Sequence, residues 1–331
     1  MRRTGLPAGA GTHRPPPPRG DCRDRTDIRN VRGTGADRPE HRPRVPRSRP
    51  RGAVMTTVPQ AYEACERART RLSEAGVWDV DGDLTALRAR FLTEESPLAL
   101  ARFETAVAER CRRIPLGHLI GAVPFDGLEL VVGSGVFVPR HESTSVVEWA
   151  ASEATLPRGG RVVDLCSGVG ALGLALSRRR PDASVTCVER DDTCLQYLSR
   201  NAARNESVLG PVYVQAADLT EPGCLDAHLG ATDVVMANPP YVSPLWRLLP
   251  EWSEHQPRSA VYSGADGLLL IRRIVELSAA VLRRGGWLAV EHDKAQPAQV
   301  GALLRGDFFE RITTLADTAG EPRITVARRT G

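Results

Sequence analysis

Asn238-Pro239-Pro240-Tyr241 follows the apolar run Asp233-Val234-Val235-Met236-Ala237, about seventy residues after the turn Asp164-Leu165-Cys166-Ser167-Gly168-Val169-Gly170. The tetrapeptide carries the groups needed to hold a planar nitrogen, whether amide or exocyclic amine. The lone pair of such a nitrogen is delocalised, so it is a poor nucleophile. A catalyst has to grip both N–H groups and aim the nitrogen at a methyl donor. The Asn238 side-chain oxygen accepts one hydrogen. Pro239, which fixes its own backbone and restricts the residue before it, presents its carbonyl to the other. Beyond Pro240, the Tyr241 ring offers a flat wall for a flat acceptor. Asn238, Pro239, Pro240 and Tyr241 are therefore the candidate catalytic residues, and the chemistry they suit is methyl transfer to nitrogen.

The turn supplies Gly168 and Gly170 just before a helix expected over Leu172–Ser177. Glycines let the backbone approach a ligand closely, and a helix N-terminus favours a carboxylate or other electronegative group. The first glycine of G-x-G-x-x-G is missing and no G-x-x-x-x-G-K-[ST] occurs, which turns the reading away from nicotinamide and nucleoside triphosphate ligands. Glu189, about twenty residues on, ends the next strand, where a carboxylate can accept both ribose hydroxyls of a nucleoside cofactor. It can equally be a solvated acid beside Arg190. Asp218 closes the third strand and is either an acceptor for an adenine amino group or a helix cap. Asp164 either fixes the glycine loop or accepts from the donor's amino group.

These residues need a scaffold that brings strand ends together. From about Val146 onwards, continuous apolar strands alternate with amphipathic segments: Arg161–Cys166, Ser184–Glu189, Val212–Asp218, Asp233–Asn238 and Gly286–His292, then Phe309–Leu315 with Arg323–Arg328. Such a pattern predicts an α/β fold with a mostly parallel sheet covered on both faces. The last two strands, joined without a helix, are expected as an antiparallel edge pair. Upstream, Tyr62, Cys65, Ala68 and Leu72, then Leu84, Leu87 and Phe91, then Leu100, Phe103 and Val107 recur at helical spacing and predict a small helical domain over residues 55–115. Between the two, alternation on either side of Asp126-Gly127 predicts a β-hairpin linker within 116–140. The remainder, 141–331, is the expected catalytic domain.

The first 54 residues differ in kind. Fourteen arginines stand against five acidic residues, a net +9, with nine prolines and almost no large apolar side chains. Too little surface can be buried there to offset ordering entropy, so the segment is expected to be disordered. Three origins fit it: a mis-assigned start with translation beginning at Met55, a nucleic-acid or ribosome-binding arm, or a targeting peptide, although it has no apolar core of a secretory signal. The whole chain carries +4, which leaves −5 for residues 55–331 and no charge argument for nucleic acid binding by the folded part. No apolar stretch reaches the roughly 18 residues of a membrane span. The seven cysteines are scattered, without C-x-x-C pairs. They point to a reducing cytoplasm, with neither a disulfide framework nor a metal site.

From about Arg112 to Arg329 the chain resembles the protein-(glutamine-N5) methyltransferases of the HemK/PrmC type, which modify peptide-chain release factors. Beyond Asn238-Pro239-Pro240-Tyr241, Pro139-Arg140-His141-Glu142-Ser143-Thr144 resembles the family's P-R-P-E-T-E. Gln256-Pro257-Arg258-Ser259-Ala260 with Gly264-Ala265-Asp266-Gly267-Leu268 is similar to its E-P-x-x-A-L-x-G-G-x-D-G-L. Glu291-His292-Asp293-Lys294-Ala295-Gln296 looks like its E-I-G-x-x-Q, and Asp317, Gly320 and Arg323 match its terminal D-x-x-G-x-x-R. The resemblance implies S-adenosyl-L-methionine as donor and a seven-stranded Rossmann-like class I methyltransferase fold. It also implies a helical N-terminal domain that helps recognise a protein substrate, and N5-methylation of the glutamine in a release factor's Gly-Gly-Gln loop. The implied donor site is Asp164, Cys166, Gly168, Gly170, Glu189, Asp218 and Asn238. Cys166 stands where the family has a glycine, His141 and Thr144 replace Pro and Glu, and Gln256 replaces Glu. Cys166 is small enough for the donor loop, whereas the changes near Arg140 and at Gln256 border the expected acceptor pocket and leave room for another protein or a small molecule as acceptor. An adenine-N6 methyltransferase acting on a flipped base shares the tetrapeptide but not the charge. A non-catalytic binding protein of the same fold would not need Asn238 and Glu189 intact.

Overall fold

In the computed structural model, the described residues are 58–331. The Arg- and Pro-rich segment 1–54 and its expected disorder lie outside them. The chain enters through three helices, α1 (Val58–Glu74), α2 (Val80–Phe91) and α3 (Pro97–Cys111), followed by a short α4 (Leu116–Ile120). Asp79 caps α2 by accepting from Gly82 N, and Ser96 caps α3 by accepting from Ala99 N. The helical spacing buries Ala68, Leu72, Leu84, Leu87, Phe103 and Val107 in one cluster between the three. Strands β1 (Ala122–Phe125) and β2 (Leu128–Val131) then pair antiparallel, Phe125 opposite Leu128. The turn residues Asp126 and Gly127 both adopt positive φ, 46° and 76°, the tight two-residue hairpin geometry.

The rest of the chain alternates. Helix α5 (Thr144–Ala150) leads to β3 (Arg161–Leu165), α6 (Ala171–Arg179), β4 (Ser184–Glu189), α7 (Asp192–Arg204), β5 (Val212–Ala216) and β6 (Thr232–Ala237). Two short helices, α8 (Pro250–Ser253) and α9 (Arg258–Val261), precede α10 (Leu269–Val281), β7 (Leu282–Glu291), α11 (Pro297–Leu304), β8 (Phe309–Ala316) and β9 (Pro322–Arg329). The seven strands after the hairpin form one sheet in the order β5-β4-β3-β6-β7-β9-β8. β3 to β7 run parallel, and β9 pairs antiparallel with both β7 and β8. This is the class I methyltransferase arrangement.

Both sheet faces are covered, as the continuous apolar strands require. In β6, Val234 and Met236 face the core shared with α5 and α6, while Val235 and Ala237 face the one shared with α10 and α11. Two strand limits differ from the sequence reading by more than one residue. β5 ends at Ala216, because the chain turns away and Asp218 folds back onto Thr220. β7 starts at Leu282, opposite Thr232, and a register shift separates that pair from Val234–Trp287.

Candidate active site

The strand order reverses between β3 and β6: from β3 the chain moves outward through β4 and β5, then returns to β6 on the other side of β3. A crevice opens at the carboxyl ends of the strands at such a switch point. Leu165 and Ala237 are register partners in the β3–β6 pair. The glycine loop after Leu165 and the Asn238 tetrapeptide after Ala237 therefore leave the sheet side by side. One continuous cavity is bordered by Gly168, Glu189 and Asp218 at one end and by Asn238, Tyr241 and Arg140 at the other.

The loop end is built around three carboxylates. Glu189 Oε2 accepts from Gly168 N (2.8 Å), while its Oε1 accepts from Arg190 N and Asp191 N. Glu189 thus shapes the loop and still has lone pairs to offer. Gly168 has φ 55°, and a Cβ there would meet no protein atom within 4 Å, so the backbone lies open to the cavity. Asp164 is fully buried; its Oδ2 accepts from Gly173 N (2.9 Å) in the first turn of α6, and its Oδ1 has no hydrogen-bond partner. Burial pushes its carboxyl up to about 7. Asp218 Oδ1 accepts from Thr220 N and Thr220 Oγ1, and its Oδ2 pairs with Arg190 (2.9 Å). Cys166 borders the cavity with φ 60°, a conformation that favours the glycine it replaces, and burial raises its thiol well above its ordinary range. A thiol held protonated is inert as a nucleophile.

At the other end, Asn238 Nδ2 donates to Ser143 Oγ (3.1 Å). Among the described residues this is the only hydrogen bond of the Asn238 side chain, which leaves Oδ1 free as an acceptor. Burial pushes the carboxyl of Glu291 up to about 7 against the pull of Ser143, Arg140 and Arg323, and its Oε2 has no hydrogen-bond partner. Burial likewise raises the Tyr241 phenol, so it stays neutral. The tetrapeptide is braced from behind. Gln296 Nε2 donates to Tyr241 O (2.9 Å) and its Oε1 accepts from Asp293 N (2.9 Å). Gly267, at φ 80°, packs so closely that a Cβ would fall 2.2 Å from Tyr241 O. The segments around Gly267 and Gln296 thus act on the backbone of the tetrapeptide. Their contribution is invisible in sequence because the contacts span about 26 and 55 residues of chain.

The outer wall joins distant elements. Trp252 of α8 stacks against Phe137, 5.8 Å between ring centroids, and under the Arg140 guanidinium, which pairs with Glu142 (2.7 Å). Its neighbour Glu251 accepts from Arg113 Nε (2.6 Å) and from Arg110, whose Nε also binds Asp83 (2.5 Å). This nearly buried set ties the cavity wall to α2 and α3. Arg323 borders the cavity and is held by Asp317 (3.0 Å). His292 is fully buried, its ring nitrogens hydrogen-bonded to Thr325 Oγ1 and Asp293 O. Apart from Cys166, the substituted positions lie off the cavity wall: His141 is exposed, Thr144 Oγ1 donates to His141 O, and Gln256 Oε1 accepts from Val138 N.

Residues 143–247 match the methyltransferase small domain family. The chain is similar to the release factor glutamine methyltransferase of Mycolicibacterium smegmatis, 43% identical over 286 residues that span 83% of this chain and 99% of the relative. It is also similar to the proteins of that name from Mycobacterium leprae, 39% identical over 80% of this chain and 96% of the relative, and Mycobacterium tuberculosis H37Rv, 36% identical over 81% and 91%. With this identity over nearly all of each relative, and with the site geometry above, the chain belongs to the release factor glutamine methyltransferase family.

Proposed function

We propose that the protein methylates N5 of a glutamine side chain, that of the Gly-Gly-Gln loop of a peptide-chain release factor, with S-adenosyl-L-methionine as donor. The observation that carries this reading is the free Asn238 Oδ1 beside the Pro239 carbonyl, at the switch-point cavity that the glycine loop also borders. The residues fit the donor: the unpartnered Asp164 Oδ1 suits an ammonium group, the open face of Gly168 suits close backbone approach, and Glu189 and Asp218 suit ribose hydroxyls and an adenine amino group. Cys166 and Gly170 complete the loop. When bound, the donor supplies an electrophilic methyl group on a sulfonium.

Asn238 Oδ1 and the Pro239 carbonyl accept the two amide protons of the glutamine, and the Tyr241 ring packs its plane. Positive charge builds on the nitrogen as it gains a bond. Both oxygens stabilise that charge more strongly than they stabilise the neutral amide, so their effect falls on the transition state. Pro240 keeps the turn rigid, which limits reorganisation. Alignment of this kind contributes several kcal/mol, roughly 7–11 at its limit. Residues 55–115 read as the domain that recognises the protein substrate, the hairpin within 116–140 as the linker, and 141–331 as the methyltransferase domain. The acidic balance of residues 55–331 disfavours a nucleic-acid acceptor. Among the described residues no helix is long and apolar enough to cross a membrane, and a cytoplasmic site of action follows from the substrate.

A radiolabelled transfer assay with a release factor, followed by mass spectrometry of the modified peptide, tests the reading. Label on the Gly-Gly-Gln glutamine is expected. Asn238→Ala should abolish turnover while calorimetry shows donor binding within a few-fold of wild type. Full turnover in that variant would remove the mechanism, and no label on the release factor would remove the acceptor.

A further inference from the structure

We propose that Arg140 binds the acceptor, its guanidinium donating to a main-chain carbonyl oxygen of the peptide that carries the target glutamine. The inference deepens the proposed function and rests on it for the reaction. Asn238 Oδ1 and the Pro239 carbonyl hold only the two N–H groups at the tip of the glutamine. A side chain gripped at its tip alone keeps its torsional freedom, so a second hold on the peptide is what fixes the nitrogen for attack.

Arg140 is placed to supply that hold. Ser143 Oγ accepts from Asn238 Nδ2 (3.1 Å), and Ser143 N donates to Arg140 O (3.2 Å). Arg140 thus stands one turn of chain from the residue that touches the Asn238 amide, and it borders the cavity together with Phe137 and Trp252. Its guanidinium lies 5.1 Å from the Trp252 ring centre, and Nη2 donates to Glu142 Oε1 (2.7 Å). Stacking and the ion pair together hold the group in one orientation. Among the described residues, Nε and Nη1 have no hydrogen-bond partner. The side chain is 28% exposed, so these donors are open to a ligand. Arg323, also on the cavity border, is instead shared between Asp317 (3.0 Å) and Asp293 (3.7 Å).

The ion pair also selects the ligand. Glu142 already balances the charge of Arg140, which disfavours a phosphate or carboxylate and suits a neutral carbonyl oxygen. The glutamine's own side-chain carbonyl is the wrong partner, because a cation there withdraws electron density from the nitrogen that must attack. A main-chain carbonyl can be held without touching the reacting amide. The glycines ahead of the glutamine carry no side chain to cover theirs.

The test uses the full chain, an end-blocked Gly-Gly-Gln peptide labelled with carbon-13 at its main-chain carbonyls, and a release factor. Titration with the wild-type protein should shift one carbonyl resonance of the peptide. Arg140→Met keeps an unbranched stem against Trp252 but has no side-chain N–H, and the shift should vanish. Glu142→Gln leaves the Nε and Nη1 donors in place and should retain it. With the release factor, Arg140→Met should raise KM on the order of 10-fold, with kcat and calorimetric donor affinity within threefold. No carbonyl shift with wild type, or the same shift with Arg140→Met, would overturn the proposal, as would an unchanged KM for a release factor that is methylated. A shift that Arg140→Met abolishes, in a protein that puts no label on the release factor, would support the Arg140 contact while removing the proposed acceptor.

Discussion

Replacing Gly267 by alanine tests whether the tetrapeptide works through its exact placement. The added Cβ would sit 2.2 Å from Tyr241 O and 2.9 Å from Gln296 Nε2. Side-chain carbons essentially never approach closer than 3.0 Å, so the Tyr241 carbonyl has to retreat by about 0.8 Å. The obstacle is backbone, held by Gln296 from the other side, and a rotamer change cannot relieve it. Alanine at φ 80° adds roughly 1–2 kcal/mol of left-handed strain. Stability should fall by about 1–3 kcal/mol in urea unfolding. A displacement near 1 Å at a positioning site costs on the order of 100-fold in rate, so single-turnover methyl transfer should slow by about that factor. The glycine loop on β3 does not touch Gly267, and donor affinity by calorimetry should stay within threefold. A variant with wild-type single-turnover rate, or one that loses donor binding in proportion to turnover, would refute the bracing argument.

Glu251→Ala removes the carboxylate that pairs with Arg113, leaving that guanidinium only the Ala75 carbonyl, and leaves Arg110 with Asp83 and the Ile114 carbonyl. An uncompensated buried charge costs about 3–5 kcal/mol, so urea unfolding should show a loss near that size, and KM for the protein acceptor should rise more than KM for the donor. Asp164 carries a pH signature. Its carboxyl is raised from 3.8 to about 7, so the folded state holds the proton more tightly than the unfolded chain. Stability on this account is greatest below pH 4 and is lost as pH rises through 7. Asp164→Asn removes the effect: it should match wild type at pH 4, exceed it by on the order of 4 kcal/mol at pH 8, and bind the donor more weakly. Parallel stability–pH curves for the two proteins would contradict the assignment.

Local chemistry wrote much of this protein into its sequence. The hairpin turn follows from Asp126-Gly127, whose positive φ values are natural to that pair. The two-sided burial of β3 and β6 follows from runs of Val, Leu and Met that leave no polar face. Alternation of such runs with helices specifies a parallel sheet, and the types of Asn238 and Glu189 specify what they can bind. The tertiary structure decided the rest, because it depends on which strand ends meet. Only the reversal of strand order between β3 and β6 sets the glycine loop beside Asn238 across 72 residues of chain. Glu291 read as part of a matching segment; its position next to Asn238 comes from the β6–β7 register, and its raised affinity for a proton comes from burial that no local pattern encodes. The sequence leaves His292 open for the same reason, since a histidine at a strand end is as easily exposed as buried until β9 covers it. Residue types fixed the menu of interactions, and long-range packing chose the partners, because hydrogen-bond direction and desolvation are properties of neighbours in space.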